Sequence, residues 1–373
     1  MRISWFARIA AAMCGVCLLV AGAAGTGVAQ AAGPSRQSAA TRFSITGEIQ
    51  GVAVTSDSNA WAVGYSGIFD KTQRTLLLHW NGSKWVQVTS PKPVPGEFYR
   101  VSAISADNAW AVGFTSTLTG ENGESLIMHW NGKNWSREGP VVPGFLTAVA
   151  GTATNVWAVG ETYGPALIMH WTGGRWYVVP VSGPGVAELS CVLVTGPDTA
   201  WAGGRTVDGA DPSANLLLRW NGTVWKSVPS PMQGAGNGVF GLAAGPAGTV
   251  LAVGNNVNAK TGDITPLSMA WNGKSWRKVP VPGAVSGLGG VGAIPGGSAW
   301  AVGNSGKATV MLRWTGKAWT RVAGPRVASQ DYLYAVAASS GRNAWAVGAS
   351  ATSDSGNAVT QTLIVHWNGK TWS

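Results

Sequence analysis

The chain has 373 residues, a net charge of +10 and only 11% charged residues. This length allows a domain core that buries roughly 75% of the unfolded surface. No dense Lys/Arg run is present, which argues against a nucleic-acid-binding protein. The basic balance instead suits a protein that works beside anionic polymers or membranes.

The N-terminus resembles an export signal. Arg2 and Arg8 precede an apolar stretch from Ile9 to about Val28, and Ala29-Gln30-Ala31 is typical of a cleavage site. We therefore predict a signal peptide over residues 1–31 and a secreted, extracellular protein, associated with the cell wall. The alternative is an uncleaved membrane anchor, because roughly 20 apolar residues can span a bilayer.

Residues 32–40 are rich in small and polar residues, which predicts a flexible leader. Cleavage would leave Cys191 as the single cysteine, so apolar burial and not an intramolecular disulfide must stabilise the protein. The next segment, Thr41–Thr46, has a strand-like pattern. From there to residue 373 we predict one domain.

A tryptophan-rich unit recurs seven times with a mean period of about 47 residues, a spacing typical of solenoids and propellers. Each copy has a strand ending in Ala-Trp-Ala-Val-Gly or a variant, followed by an apolar run that ends in Trp-(Asn/Thr)-Gly-x-x-Trp. The three positions of this unit hold every tryptophan except Trp5, and Leu251 replaces the first tryptophan once.

Each copy also contains four short strand patterns separated by turn signals. In the second copy these are Val101–Ser105, Ala109–Phe114, Ser125–Trp130 and a strand that starts at Trp135. No helical periodicity follows Ala31. We therefore predict an all-β fold, a seven-bladed β-propeller of four-stranded antiparallel blades. Both tryptophans of the Trp-x-x-x-x-Trp pair fall on one sheet face, where we expect them to pack into the adjacent blade.

Two repeat families show a similar layout. Gly113, Trp130-Asn131-Gly132 and Trp135 resemble the Kelch pattern, although the double glycine and the Tyr-Asp pair of Kelch repeats are missing. Trp157-Ala158-Val159-Gly160 and Trp225-Lys226-Ser227-Val228-Pro229 are similar to tectonin strands, in a longer repeat. The Kelch resemblance implies partner or glycan binding, and the tectonin resemblance implies lectin activity.

The last repeat stops at Trp372-Ser373, before most of its outer strand. We predict that Thr41–Thr46 pairs beside Leu363–His366 and closes the ring. The alternatives are a short seventh blade with a disordered leader, or a chain that is a fragment of a larger exported protein.

Two faces of the predicted propeller differ. One carries short, uniform turns, and six of its seven last turns hold a cation: Lys84, Lys133, Arg175, Lys274, Lys317 and Lys370. This ring would suit an anionic wall polymer, or consist of ordinary solvated lysines. The other face carries long, variable loops, where function usually lies. We predict a ligand site there, formed by aromatic residues with a cation: Tyr65, Phe69, Phe98, Tyr99, Arg100, Phe114, Tyr163 and Tyr332.

Catalytic patterns are weak. All four histidines, His79, His129, His170 and His366, occupy one repeat position, which indicates a structural role and no metal site. We therefore predict a monomeric binding propeller without cofactor, catalytic residues or metal, which recognises a cell-surface glycan or a protein partner. The alternative is a glycan lyase or hydrolase that uses loop acids such as Glu121, Glu124, Asp208 and Asp211.

Overall fold

The structure is a computed structural model of the chain. It describes residues 44–68, 72–88, 94–116, 123–181, 187–207, 214–231, 236, 238–258, 260–306, 308–328, 330–351 and 359–373. The predicted signal peptide and flexible leader, Phe69, and the acids Glu121, Asp208 and Asp211 lie outside these residues. Within them, no helix is long and apolar enough to cross a membrane.

The described residues form seven antiparallel sheets with strand order one to four, except that the last sheet has three strands. The predicted all-β, seven-bladed propeller is thus confirmed. The inner strands are β1 (Gly47–Ser56), β5 (Gly96–Ser105), β9 (Phe145–Gly151), β13 (Ala187–Gly196), β17 (Gly238–Ala244), β21 (Gly287–Ile294) and β25 (Gln330–Ser340). The second strands are β2 (Asn59–Ser66), β6 (Asn108–Thr115), β10 (Val156–Glu161), β14 (Thr199–Thr206), β18 (Val250–Val257), β22 (Ser298–Ser305) and β26 (Asn343–Ala351).

The third strands are β3 (Arg74–Trp80), β7 (Glu124–Trp130), β11 (Ala166–Thr172), β15 (Asn215–Trp220), β19 (Ile264–Trp271), β23 (Ala308–Trp314) and β27 (Gln361–Trp367). The outer strands are β4 (Trp85–Gln87), β8 (Trp135–Arg137), β12 (Arg175–Val178), β16 (Trp225–Ser227), β20 (Trp276–Lys278) and β24 (Trp319–Val322). Each inner strand contacts the inner strand of the next blade, and β1 contacts β25, so the seven sheets close a ring around a central axis.

Tryptophans join every blade to the next. Trp61 of blade 1 meets Trp130 and Trp135 of blade 2, with ring centroids 5.0 Å away in both cases. Around the ring, Trp345 of blade 7 meets Trp80 and Trp85 of blade 1 at 4.8 and 5.1 Å. The same contact recurs at the other interfaces, with Leu251 in place of the first tryptophan in blade 5. This tryptophan lattice is the interblade core.

The repeat glycine explains how the second strand approaches the inner strand. A Cβ on Gly64 would lie 2.0 Å from the carbonyl oxygen of Glu48, and a Cβ on Gly113 would lie 1.9 Å from that of Glu97. All seven blades show this approach, between 1.9 and 2.1 Å, at Gly64, Gly113, Gly160, Gly204, Gly254, Gly303 and Gly348. Since real Cβ atoms never come so close, only glycine fits this position. The residue on the inner strand that supplies the carbonyl is not restricted in the same way.

The four histidines are part of the scaffold. His170 stacks on Trp157 with ring centroids 3.8 Å apart, and its Nε2 lies 2.8 Å from Oδ1 of Asn155. The Asn155 amide nitrogen donates to the Pro197 carbonyl, so its oxygen accepts the histidine proton. His79, His129 and His366 make the same two contacts in their own blades. Each histidine therefore has an Asn partner and a Trp partner.

Two chain segments bond to the outer edge of β27. Thr46 forms an antiparallel bridge with Gln361, the Thr362 amide donates to the Ile45 carbonyl, and the Gly47 amide donates to the Thr360 carbonyl. At the other end of β27, Ser373 exchanges both backbone hydrogen bonds with His366. The described part of the N-terminal segment thus lies at the start of β27, while the C-terminal residues lie at its end.

Candidate functional site

The candidate ligand residues are mostly strand residues and not loop residues. Phe98, Tyr99 and Arg100 lie inside β5, which begins at Gly96 and not at Val101 as predicted. Tyr65 and Phe114 belong to the second strands β2 and β6, and Tyr332 belongs to β25. Tyr163 lies in the turn after β10, and Phe69 lies outside the described residues. The loop placement was wrong because strong pairing extends the strands towards the long-loop face.

The candidates differ in what they contact. Phe98 is buried in the interblade core beside the tryptophan lattice. Tyr65 is also buried and hydrogen-bonds to Glu48. The Arg100 guanidinium donates to the Gln50 carbonyl of blade 1. Phe98 and Arg100 therefore join blades 1 and 2, whereas the Tyr65–Glu48 bond lies within blade 1.

Four glutamates gather at the channel mouth on the long-loop face. Glu48, Glu97 and Glu188 occupy one repeat position, the residue on the inner strand whose carbonyl the repeat glycine approaches. Glu161 is the last residue of β10 and lies opposite Phe145, which fills that repeat position in blade 3. Blades 1 to 4 each contribute one carboxylate, and we call the four residues the mouth glutamates.

The two mouth glutamates of blades 1 and 2 accept hydrogen bonds across blade interfaces. Glu48 accepts from Gln50 at 3.0 Å and is bonded also to Tyr334 of blade 7. Glu97 accepts from Gln73 of blade 1 at 3.1 Å. Burial raises the pKa of the Glu48 carboxyl. Burial, followed by the charge of Glu48, raises the pKa of the Glu97 carboxyl well above its ordinary value.

Glu161 and Glu188 differ in their partners. Glu188 forms an ion pair with Arg205, whose Nη2 lies 2.6 Å from its Oε2. Glu161 is only 4% exposed, yet it accepts no side-chain hydrogen bond from any residue that the structure describes. Burial raises the pKa of Glu161 to about 8, the Glu188 charge raises it further, and the Arg205 charge opposes this. At neutral pH its carboxyl is therefore mostly protonated.

An aromatic cluster lies beside these carboxyl groups at the interface between blades 2 and 3. Tyr99 stacks on Phe114 with ring centroids 5.8 Å apart, and both rings contact Phe145 at 6.3 and 6.4 Å. Tyr163 meets Phe145 in an edge-on contact at 6.3 Å. The charges of Glu97 and Glu161 both raise the pKa of the Tyr99 phenol, after burial as the main cause. The aromatic cluster is therefore next to two of the mouth glutamates.

Tyr163 has an unusual backbone conformation. Its φ is +61°, a left-handed value that non-glycine residues seldom adopt. Its hydroxyl donates to the Gly123 carbonyl of blade 2 at 2.8 Å, so the ring spans the blade interface. The ring is 40% exposed, whereas Phe145 below it is buried. Strain of this kind is concentrated at ligand sites, which makes the turn around Tyr163 a candidate contact surface.

The opposite side of the mouth lacks these groups. The repeat position of the mouth glutamates holds Gly238 in blade 5 and Gly287 in blade 6. Their partners on the second strands are Asn255 and Asn304. The ring is therefore regular in backbone and one-sided in chemistry.

Six of the seven last turns on the short-turn face each contribute one basic side chain. All six last-turn cations are exposed, and the turn backbone is fixed by the Asn side chain, as in Asn131 Oδ1, which accepts from Lys133 and Asn134 amides. The Thr315 hydroxyl accepts from the Ala318 amide in the same way. These turns are explained by their own hydrogen bonds.

Metal and catalytic candidates are also placed by the structure. Among the described residues, no group of three His, Cys, Asp or Glu side chains could hold a metal ion. Cys191 is buried, and burial raises the pKa of its thiol to about 12, so it is unreactive. Of the four loop acids considered for an enzyme, only Glu124 is described, and it is exposed at the start of β7.

The mouth glutamates were missed because the acids look scattered along the chain. Aligning the repeats on the glycine of Ala-Trp-Ala-Val-Gly would have found three of them, since Gly-Glu precedes an apolar residue at 47–49 and at 96–98, and Ala-Glu-Leu does so at 187–189. The fourth, Glu161, directly follows the repeat glycine. The signal was a difference between copies at one position.

Comparisons with known proteins support the fold alone. No family model and no curated protein matches the chain. The β-propeller domain of the Trilobed protease from Pyrococcus furiosus, described as having an open velcro topology, is similar with a TM-score of 0.57 at 8% identity, covering 88% of this chain and 97% of that one.

Two further solved structures are similar. A catalytically inactive virginiamycin B lyase from Staphylococcus aureus with quinupristin gives a TM-score of 0.54 at 14% identity and covers 85% of this chain and 94% of that one. YCF48 bound to D1 peptide gives a TM-score of 0.50 at 16% identity and covers 77% and 82%. One of these propellers is a lyase and another binds a peptide, so the shared architecture does not select a function.

Proposed function

We propose that this chain is an exported binding propeller of the Kelch-like or tectonin-like type, which recognises a surface glycan or a protein partner at its long-loop face. One observation supports this most strongly: the groups that the repeat does not dictate are concentrated on one side of the channel mouth. They are the mouth glutamates and the aromatic cluster. Ligand sites commonly combine aromatic surface with a few polar groups in this way.

A peptide-like partner is the better match of the two ligand classes. Protein-binding sites are enriched in aromatic anchors, and Tyr163 offers one that is rigidly held and 40% exposed. The similar YCF48 propeller is described as bound to D1 peptide. The carboxylates would then recognise donors on the partner. A glycan would use the same aromatic rings as stacking surfaces.

The test is binding of the secreted protein to a glycan array and to a peptide array. The variant Tyr163→Ala removes the exposed ring at the mouth, and Lys133→Gln with Lys317→Gln removes two cations on the short-turn face. We expect Tyr163→Ala to lose most of the binding and the lysine variant to keep it. The reverse result would transfer the site to the short-turn face, where an anionic wall polymer is the alternative partner and binding would fall with salt.

A second candidate is an enzyme that cleaves a glycan. The specific observation is a pair of neighbouring carboxyl groups in different surroundings: Glu161 has a pKa near 8, and Glu188 is ion-paired with Arg205. Acid–base pairs in hydrolases are built in this way. Turnover of any bound array sugar, lost in Glu161→Gln, would establish catalysis and replace the binding function. If none of the bound sugars yields a product, the binding function stands.

A further inference from the structure

The mouth has an excess of buried carboxyl groups over cations. Glu48, Glu97 and Glu161 have no ion-pair partner among the described residues, and Arg205 pairs with Glu188 alone. Arg100 is directed to the Gln50 carbonyl and does not compensate them. A buried carboxylate without a counter-charge costs free energy, so these groups remain protonated or await a cation.

Glu161 provides an independent sign of a ligand. It is 4% exposed and lies opposite Phe145, the ring that Tyr99 of blade 2 and Tyr163 of its own blade both contact. The charges of Glu188 and Arg205 of blade 4 also act on its carboxyl. None of the described side chains donates a hydrogen bond to it. Buried polar groups normally have such a partner, so this carboxyl is one that a ligand donor would satisfy.

The aromatic cluster indicates which type of cation the mouth would bind. A metal ion needs several ligands around one point, and no three described acids or histidines converge in this way. Organic ammonium groups, by contrast, bind against aromatic faces and need fewer carboxylates. Tyr99, Phe114 and Tyr163 supply such rings beside Glu97 and Glu161. The three carboxyl groups without an ion-pair partner among the described residues are distributed over blades 1 to 3, which suits a ligand with several positive charges.

We propose that the mouth of blades 1 to 4 binds protonated alkylamines, with one ammonium group seated between the Glu161 carboxylate and the rings of Tyr99 and Tyr163. This rests on the proposed binding function and assigns the chemistry that the ligand carries. Further amines of the same ligand pair with Glu97 and Glu48. Two sources share this chemistry, a lysine-rich protein segment and a polyamine.

Binding is expected to depend on pH in a characteristic direction. Since the free Glu161 carboxyl has a pKa of about 8, an incoming ammonium group must displace its proton below that pH. Lysine amines keep their own charge up to about pH 10. Affinity therefore rises between pH 6.5 and 8.5. The other charged groups that act on Glu161 are Glu188 and Arg205, which form an ion pair with each other.

The experiment is isothermal titration of the secreted protein with acetylated, amidated tetralysine and, separately, with spermidine. The control ligand is the same tetralysine peptide with every Nε amine acetylated, so that it carries no side-chain charge. We expect tetralysine to bind and the Nε-acetylated control peptide to bind at least tenfold more weakly. Spermidine that binds as tightly as tetralysine identifies a polyamine site, and tighter tetralysine binding identifies a protein segment.

Variants locate the site and separate this proposal from the wider function. Glu161→Gln should weaken amine binding about tenfold, the effect of losing one charge-assisted hydrogen bond, and should reduce the rise of affinity with pH. Glu124→Gln removes an exposed acid that begins β7 on the same face and should change affinity less than twofold. Phe114→Leu keeps the charge and should weaken binding severalfold.

Three results would overturn the proposal: no amine binding, equal effects of Glu161→Gln and Glu124→Gln, or an affinity that falls as pH rises. If amines fail while array ligands still bind in a Tyr163-dependent manner, the cation assignment fails and the binding function stands. If array ligands also fail, both are wrong.

Discussion

Blades 1 to 4 and blades 5 and 6 have the same backbone at the channel mouth but carry different side chains. In both halves the repeat glycine presses against one inner-strand carbonyl, at Gly64 in blade 1 as at Gly254 in blade 5. This carbonyl belongs to Glu48 in blade 1 and to Gly238 in blade 5. The contrast shows that a repeat can fix geometry around a ring while one position stays open to local chemistry.

The tryptophan lattice, in contrast, is equal in both halves. Trp157 in blade 3 and Trp300 in blade 6 are fully buried and contact two tryptophans of the next blade at about 5 Å. Stability should therefore be distributed evenly around the ring, and specificity unevenly. Variants in the tryptophan lattice and at the mouth test this distinction.

Truncation of a lattice tryptophan should lower the free energy of unfolding equally in each half of the ring. We expect Trp157→Ala and Trp300→Ala each to lower the free energy of unfolding by about 3–5 kcal/mol, because each leaves a large cavity between blades. Urea denaturation would measure both. Tyr177→Ala, on the exposed outer strand β12, is the control and should stay within about 0.5 kcal/mol. A loss confined to one half would disprove an even lattice.

Removal of the N-terminal bonding segment should open the junction between blades 7 and 1. Deleting residues 32–47 removes the Thr46–Gln361 bridge and the bonds to Thr360 and Thr362. At about 1 kcal/mol per hydrogen bond, we expect a loss of about 2–4 kcal/mol and a lower melting temperature. Deleting residues 32–43 alone is the matched control. An unchanged melting temperature in the longer deletion would refute closure by this segment.

The mouth should make stability fall with rising pH, which the lattice does not. Folded Glu161 keeps its proton up to about pH 8, whereas the unfolded chain loses it near 4.5, so ionisation favours unfolding between these values. Glu161→Gln should therefore gain stability relative to the wild type as pH rises from 5 to 8, by at most about 1.4 kcal/mol per pH unit. Thermal unfolding at several pH values would measure this. A constant difference would show that burial does not raise the pKa of Glu161 in the folded protein.

The four histidines make the stability of the fold depend on pH in the opposite direction from Glu161, and to a smaller extent. Burial lowers the pKa of His79, His129, His170 and His366, so the unfolded chain binds more protons below about pH 6.5. Stability is thus lost as pH falls from 7 to 5. His170→Gln should lessen this acid loss at a cost of about 1 kcal/mol at pH 7.5. An undiminished acid loss in the variant would exclude His170 as a contributor.

The sequence predicted the scaffold well because the scaffold is periodic. The recurring tryptophans indicated seven blades, and their five-residue spacing placed Trp80 and Trp85 on one sheet face, packed against the adjacent blade, as observed. The placement of Phe98 and Tyr99 failed, because strand extension depends on pairing across the blade and not on local pattern. The mouth glutamates were missed for a related reason. Packing of blade 3 against blade 2 places Glu161 near Tyr99, and no local motif records that approach.

A site at the mouth of blades 1 to 4 determines which residues a bound amine ligand will contact. A tetralysine peptide with a photoreactive diazirine would be cross-linked to the wild-type protein, and the modified residues would be identified by mass spectrometry. We predict attachment at the start of β5, residues 96–100, and in the turn after β10, residues 162–165. Attachment on the outer strands or on the short turns that carry Lys133 and Lys317 would contradict a site at the mouth of blades 1 to 4.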